Sequence, residues 1–202
     1  MPQEHYFSNE PTGDFKPKTI EVTLADRRVK VQTAGSIFSP DHVDTGTKVL
    51  LSKLELAPED GDILDIGCGW GPISLALAMY RPNATIWAVD VNQRAVELTR
   101  KNAASLGLTN VKAMLVDEVP AGLTFDAIWS NPPIRVGKEV LHEILKVWLN
   151  RMKTGAFAYL VVQKNLGSDS LLKWLQDTFY NFESTRLSTD KQFRVLEVEK
   201  VS

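Results

Sequence analysis

Residues Asn131 to Ile134 read Asn-Pro-Pro-Ile and follow the apolar run F-D-A-I-W-S. A strand inside a sheet does not accommodate two consecutive prolines, because neither can donate to the ladder. The strand must stop there, and it stops on an Asn. Those residue types suit one kind of chemistry. The nitrogen of an exocyclic amine on a base is a poor nucleophile, because its lone pair is delocalised into the ring. Two acceptors on its two N–H bonds would hold it with the lone pair aimed at an incoming carbon. The Asn131 side-chain oxygen and the Pro132 carbonyl form such a pair, and Pro133 helps to fix the dihedrals around them. They would work by position and charge, not as a general base. Taken alone, the same four residues also make an ordinary turn.

Upstream, a short apolar run leads into Asp65-Ile-Gly67-Cys68-Gly69-Trp-Gly71-Pro72. Glycines at the carboxyl end of a strand let a ligand approach the backbone. The dinucleotide fingerprint is G-x-G-x-x-G. Here the spacing is G-x-G-x-G, with Pro72 in the third-glycine slot. Proline is tolerated at the first turn of a helix, so a helix can follow while the fingerprint is not met. Asp65 precedes the loop, where a pyrophosphate would need neutral or positive surroundings. A carboxylate there suits a cationic ligand such as S-adenosylmethionine, which carries a sulfonium and an ammonium group and no phosphate. Asp90 closes T-I-W-A-V-D about 20 residues later, where an acid bonds ribose hydroxyls. That fits a nicotinamide cofactor and adenosylmethionine equally. Val91 follows it as a candidate contact. Asp117, after V-K-A-M-L-V, is a candidate acceptor for an adenine amino group, with a turn or cap as the alternative.

These residues need elements to position them. From Asp62 on, short apolar strands alternate with amphipathic helices, the pattern of a parallel sheet covered on both faces. D-I-L-D-I, T-I-W-A-V-D, V-K-A-M-L-V, F-D-A-I-W-S and G-A-F-A-Y-L-V-V-Q read as strands. Asn92 is placed to cap the helix that follows the second of them, and Gly107 to stop it. The last two segments, F-E-S-T-R-L-S and Q-F-R-V-L-E-V-E, alternate like an antiparallel pair. The expectation is an α/β fold with a seven-stranded, mostly parallel Rossmann-like sheet and antiparallel last strands. Ahead of it, K-T-I-E-V-T-L and R-V-K-V-Q-T flank A-D-R as a hairpin. Residues 1–34 thus read as an arm plus β-hairpin extension, and residues 35–202 as the catalytic domain. A helix is expected to carry Val49, Leu50, Leu54 and Leu56, and Trp87, Trp148 and Trp174 read as core aromatics.

The 202 residues carry a net charge of −2, which argues against a protein that coats nucleic acid but leaves room for a local basic patch. The single cysteine, Cys68, excludes an internal disulfide and fits a reducing compartment. The opening residues M-P-Q-E-H-Y-F-S-N-E are polar and acidic, unlike a signal peptide, and no apolar run reaches the ~18 residues of a membrane helix. A cytoplasmic protein is expected. His5, His42 and His142 show no metal-ligand spacing, so no metal is expected.

The motifs H5-Y-F-S, G35-S-I-F-S-P-D-H-V-D-T-G-T, L64-D-I-G-C-G-W-G-P, V89-D-V-N-Q-R-A-V-E-L and S130-N-P-P-I-R-V-G-K, spread over nearly the full length, resemble the class I adenosylmethionine-dependent methyltransferases. More closely, they resemble the small-domain guanine-N2 methyltransferases of 16S ribosomal RNA. The resemblance implies S-adenosylmethionine as cofactor and guanine N2 as methyl acceptor, with Asn131, Pro132, Pro133 and Ile134 at the base. It implies that Asp44, Gly46, Asp65, Gly67, Cys68, Gly69, Asp90, Val91, Asp117 and Asn131 line the cofactor, Asp44 and Gly46 near its methionine end. Capping of a helix is an equal reading for Asp44. The partner implied is 16S ribosomal RNA or the small ribosomal subunit, met by a monomer or weak dimer. Some members carry two tandem domains, and this chain has room for one. Many amine methyltransferases place an aromatic residue where this chain has Ile134, so base stacking would fall to Phe38 or Phe7. Arg135, Lys138 and Lys164 are candidates for RNA phosphates. A nicotinamide-dependent oxidoreductase, a protein-glutamine methyltransferase and a non-catalytic RNA-binding protein remain the alternatives.

Overall fold

The computed structural model describes residues 16–35 and 37–202, apart from the side chain of Arg135. The expected arm with His5 and Phe7 lies outside the described residues, as does the expected phosphate contact of Arg135. The chain opens with a hairpin, β1 (Pro17–Leu24) and β2 (Arg27–Ala34). Its two-residue turn places Ala25 and Asp26 at positive φ, 45° and 61°, the turn geometry whose twist matches paired strands. Then follow α1 (Thr45–Leu51), β3 (Asp60–Ile66), α2 (Pro72–Tyr80), β4 (Asn83–Asp90), α3 (Gln93–Ser105) and β5 (Val111–Leu115). The second half comprises β6 (Phe125–Ser130), α4 (Lys138–Leu149), β7 (Met152–Gln163), α5 (Ser168–Thr178), β8 (Phe182–Asp190) and β9 (Phe193–Lys200).

Seven strands form one sheet in the order β5-β4-β3-β6-β7-β9-β8. The first five run parallel, and β9 lies antiparallel between β7 and β8. This is the expected fold class. The strands are buried on both faces, so alternate residues feed two cores. In β7, Tyr159 and Val161 join the core under α1, α2, α3 and the hairpin, while Ala158, Leu160 and Val162 join the core under α4 and α5. No helix among the described residues is long and apolar enough to cross a membrane.

Two sequence expectations shift by a few residues, and a third differs in burial. The helix expected through Leu56 stops at Leu51, where Ser52 Oγ donates to the Val49 carbonyl at 2.8 Å and competes with the helix ladder. Leu54–Leu56 then form a separate 3₁₀ turn. β5 stops at Leu115, whose N–H is taken by the Glu118 carboxylate at 2.9 Å, so Asp117 sits exposed in a 3₁₀ turn instead of on the strand. Trp87 and Trp148 are core residues as expected, whereas Trp174 is only partly buried and stacks on His142, with ring centroids 3.7 Å apart.

Besides its apolar face, the hairpin is tied to the sheet domain by a buried amide. Asn102 of α3 is 1% exposed. Its oxygen accepts from the Gln32 N–H at 2.7 Å, and its nitrogen donates to the Gln32 and Trp70 carbonyls, both at 2.9 Å. The amide thus extends the edge of β2 as another strand would, and holds the glycine loop as well. Asn102→Ala leaves three backbone groups without these partners. At about 1 kcal/mol for each bond lost, urea unfolding should show a loss of about 2–4 kcal/mol. A midpoint equal to wild type would mean that the hairpin is held by its apolar face alone.

Candidate active site at the carboxyl edge of the sheet

The sheet changes direction between β3 and β6: β4 and β5 build outward from β3 on one side, and β7 from β6 on the other. Ligands of open α/β sheets bind outside the carboxyl ends of the strands at such a point. The register pairs Ile66 with Val89 and with Ser130, so Gly67, Asp90 and Asn131 leave three adjacent strands side by side. Neighbouring strands lie ~4.8 Å apart. The loops are also cross-tied, since Ser130 Oγ donates to the Ile66 carbonyl at 2.8 Å.

The glycine loop spends its amides on the protein. Gly67 N and Cys68 N both donate to the Val89 carbonyl, at 2.9 and 3.0 Å, and Gly71 N donates to the Cys68 carbonyl at 2.9 Å. Gly69 N donates to Asp90 Oδ2 at 3.0 Å. A phosphate cradle needs free N–H groups pointing at the ligand, and these four do not supply them. A Cβ built on Gly67, at φ +75°, would project into open space, whereas one on Gly71 would press on Thr99 Oγ1 at 3.0 Å. Gly67 therefore borders the open side of the loop, and Gly71 lets α2 approach α3. Cys68 turns its thiol inward, 3.6 Å from Thr99 Oγ1, where burial pushes its pKa up. Only its backbone is left for a ligand.

Asp65 was expected to face a ligand. It is fully buried, and its Oδ2 accepts from both Ser74 N and Ser74 Oγ. It therefore caps α2 in place of Gly71, which has no side chain to do so. Its Oδ1 is buried without a partner among the described residues. Burial outweighs the Ser74 bonds and pushes its pKa up to about 7. Asp90, partly buried, accepts from Gly69 N and, through Oδ1, from Asn92 N at 2.9 Å. Each of its oxygens keeps a lone pair for a hydroxyl, and burial raises its pKa as well. Val91 beside it is exposed. Asn92 caps α3 as expected, accepting from Arg94 N at 3.0 Å. With two acids at the loop and four of its amides already used, the donor set fits a cationic, phosphate-free ligand such as S-adenosylmethionine and not a pyrophosphate.

At the neighbouring corner, Pro132 is buried and Pro133 exposed. Pro133, at φ −74° and ψ 74°, is the centre of an inverse γ-turn in which Ile134 N donates to the Pro132 carbonyl at 2.8 Å. One lone pair of that carbonyl remains. The Asn131 amide nitrogen donates to Asp44 Oδ2 at 3.0 Å and to Thr47 Oγ1 at 3.1 Å. A carboxylate can only accept, so this contact assigns the amide: nitrogen toward Asp44, with Oδ1 left unpartnered among the described residues. Asp44 is also the N-cap of α1, accepting from Thr47 N at 3.2 Å. Gly46 lies between them because a Cβ there would stand 2.8 Å from the Phe193 ring.

Around this corner, Phe38 is 65% exposed on a segment held to the glycine loop by Trp70 Nε1, which donates to the Ser39 carbonyl at 3.2 Å. Lys138 opens α4, and Lys164 follows β7; both are exposed. Lys138 borders a cleft of about 250 Å³ lined also by Ile134, Leu141, His142, Leu166 and Ser170, among others. Burial lowers the His142 pKa. No group of side chains among the described residues could hold a metal. Sequence reasoning missed Thr47, Ser74, Thr99 and Asn102. Thr47 carries a local signal, standing three residues after an Asp at a helix start. Asn102 is a polar residue on the apolar side of its helix.

Comparison with known proteins identifies the family and the fold. Residues 28–197 match the profile of the family described as "Methyltransferase small domain". A Bacillus subtilis relative named "Uncharacterized protein YbxB" is 35% identical over 201 residues, 98% of this chain and 99% of its own. The ribosomal RNA small subunit methyltransferase C of Klebsiella pneumoniae is 39% identical over 129 residues, 63% of this chain but only 36% of that protein. Among solved structures, the Thermus thermophilus 16S rRNA N2 G1207 methyltransferase, in complex with AdoMet and guanosine, superposes with a TM-score of 0.77 at 24% identity. The match covers 94% of this chain and 52% of that one.

The buried Asp65 carboxyl has a measurable consequence. Its folded pKa lies above its unfolded value, so the folded state binds the proton more tightly. Its stabilising contribution is complete below pH ~4 and is lost as pH rises through about 7. An amide at this position does not titrate. The stability of Asp65→Asn relative to wild type should therefore improve between pH 5 and pH 8, by up to ~1.4 kcal/mol per pH unit. A difference between the two proteins that does not change with pH would contradict the buried, protonatable carboxyl.

Proposed function

Since this chain belongs to the methyltransferase small-domain family, we propose that it transfers a methyl group from S-adenosylmethionine to the N2 amine of a guanine in 16S ribosomal RNA. The observation that carries this reading is the orientation of the Asn131 amide. Its nitrogen is engaged by Asp44 and Thr47, so its oxygen is the atom available to an acceptor, and an oxygen orients an N–H donor.

S-adenosylmethionine, when bound, supplies a methyl carbon whose C–S bond breaks as the new N–C bond forms. In this reading Gly67 and Gly69 let it lie against the backbone, Asp90 accepts from its ribose hydroxyls, and Asp65 holds the first turn of α2 beneath the loop. Val91 and Asp117 border its adenine side. Asn131 Oδ1 and the free lone pair of the Pro132 carbonyl accept the two N2 hydrogens. They aim the nitrogen lone pair and stabilise the positive charge that grows on it. Neither oxygen is basic enough to keep the proton, which passes to water. The γ-turn of the two prolines holds both acceptors in place before substrate arrives.

Ile134 cannot stack on the base as an aromatic residue would. In this reading Phe38, exposed on a segment that Trp70 holds to the glycine loop, would cover the base instead, at ~1–3 kcal/mol for one stacked base. Lys138, at the adjoining cleft, and Lys164, exposed after β7, suit the phosphates of a strand with its target base turned out. The relative named as a ribosomal RNA small subunit methyltransferase, 39% identical over 129 residues, supports an RNA substrate. The chain spans 36% of that protein and 52% of the Thermus thermophilus one.

Tritiated methyl transfer to naked 16S RNA, to 30S subunits and to a protein fraction, followed by nucleoside analysis, tests the reading. N2-methylguanosine should carry the label. Asn131→Ala should lower kcat by about 10²–10³-fold, the usual loss when one preorganised polar contact to a developing charge is removed, while S-adenosylmethionine binding stays unchanged. Label in protein, or an Asn131→Ala enzyme as fast as wild type, would overturn it.

A further inference from the structure

An Asn side chain is nearly symmetric in shape and opposite in chemistry at its two ends. If Asn131 faced an acceptor with its nitrogen, it would present donors and repel an amine. Its backbone does not choose between the two. The choice is made 87 residues upstream, where Asp44 Oδ2 receives the Asn131 nitrogen at 3.0 Å. Thr47 Oγ1 receives it as well, at 3.1 Å. A hydroxyl can donate or accept and so could tolerate either end of the amide. A carboxylate offers acceptors only, and it is therefore the member that sets the direction.

The pair is itself held. Thr47 is 3% exposed, and its N–H donates back to the same Asp44 oxygen. Asp44 stands at the N-cap of α1, whose first turn favours an anion. The absence of a side chain at Gly46 keeps the space beside that oxygen clear, since a Cβ would lie 3.0 Å from it.

We infer that Asp44 and Thr47 are positioning residues that fix the polarity of Asn131, and that Asp44 thereby selects an amino group over a carbonyl or ring nitrogen as methyl acceptor. The inference rests on the proposed role of Asn131 and assigns these two residues a function separate from cofactor binding. Swapping Asp44 for Asn keeps a good helix cap but offers Asn131 either a donor or an acceptor, so the amide can turn over. Thr47→Val removes the second partner at nearly the same volume, and Thr47→Ser keeps it.

The test measures kcat, KM and S-adenosylmethionine affinity on 30S subunits for each variant, alone and combined with Asn131→Ala. Asp44→Asn should lower kcat about 10–100-fold with cofactor affinity and KM nearly unchanged. Thr47→Val should lower it several-fold, and Thr47→Ser should restore it. In the Asn131→Ala background, Asp44→Asn should have no further effect, because the group it orients is gone. An Asp44→Asn loss that persists in that background, or that appears as weaker cofactor binding, would overturn the inference and place Asp44 at the cofactor. So would single variants as active as wild type beside an inactive Asn131→Ala. A fully active Asn131→Ala would instead remove the proposed role of Asn131.

Discussion

The parallel pairing of β3 with β6 is the constraint on which the rest depends. It sets Ile66 opposite Ser130 and so brings the glycine loop and the Asn-Pro-Pro corner out of the sheet as neighbours. Parallel strands cannot be joined by a tight turn, and crossover helices must cover the sheet. The two halves therefore wind outward in opposite directions and leave a crevice between their first strands. A one-residue slip in this pairing would turn Asn131 to the other face of the sheet. Large residues on both sides of β6, with Phe125, Ile128 and Trp129 all fully buried, make such a slip costly.

Polar side chains then fasten the loops that the sheet places. Asp65 caps α2, Asp90 joins the glycine loop to the start of α3, Asn102 joins the loop to the hairpin, and Asp44 joins α1 to Asn131. Each is a contact between groups distant in the chain. In the glycine loop itself, the Gly69 amide goes to Asp90 and those of Gly67, Cys68 and Gly71 go to backbone carbonyls, so these four are not free to bind an anion. This pattern separates the site from phosphate-binding loops more firmly than the spacing of its glycines does. The cost is visible at Asp65, where removal from water outweighs two hydrogen bonds and a helix N-terminus.

What the sequence revealed and what it withheld divide along the range of the forces involved. The strand and helix order was legible because burial of both sheet faces leaves runs such as Ile86 to Val89 and Tyr159 to Val162 apolar. Asn92 and Gly107 were legible because caps act within a few residues. The approximate place of Asn131 was legible because two prolines must end a strand. Asp65 reads in the sequence as a ligand contact, and nothing local shows that Ser74, nine residues on, takes one of its oxygens. Gly46 reads the same way, yet its constraint comes from Phe193 at the far end of the chain. The bonds from Asn102 to Gln32 and from Asn131 to Asp44 span 70 and 87 residues and have no local signature. The turn at Glu118 that removes Asp117 from β5 is a side-chain contact competing with the ladder, which propensity does not register.

The central claim concerns one atom, the Asn131 oxygen, and which way it faces when substrate is present. A crystal structure with guanosine and a non-reactive amine analogue of S-adenosylmethionine measures it directly. Guanine N2 should lie within ~2.7–3.2 Å of Asn131 Oδ1, with the amide nitrogen still on Asp44 and the cofactor analogue over Gly67. An amide turned over so that its nitrogen meets the base, or a guanine seated away from the Asn-Pro-Pro corner, would contradict it.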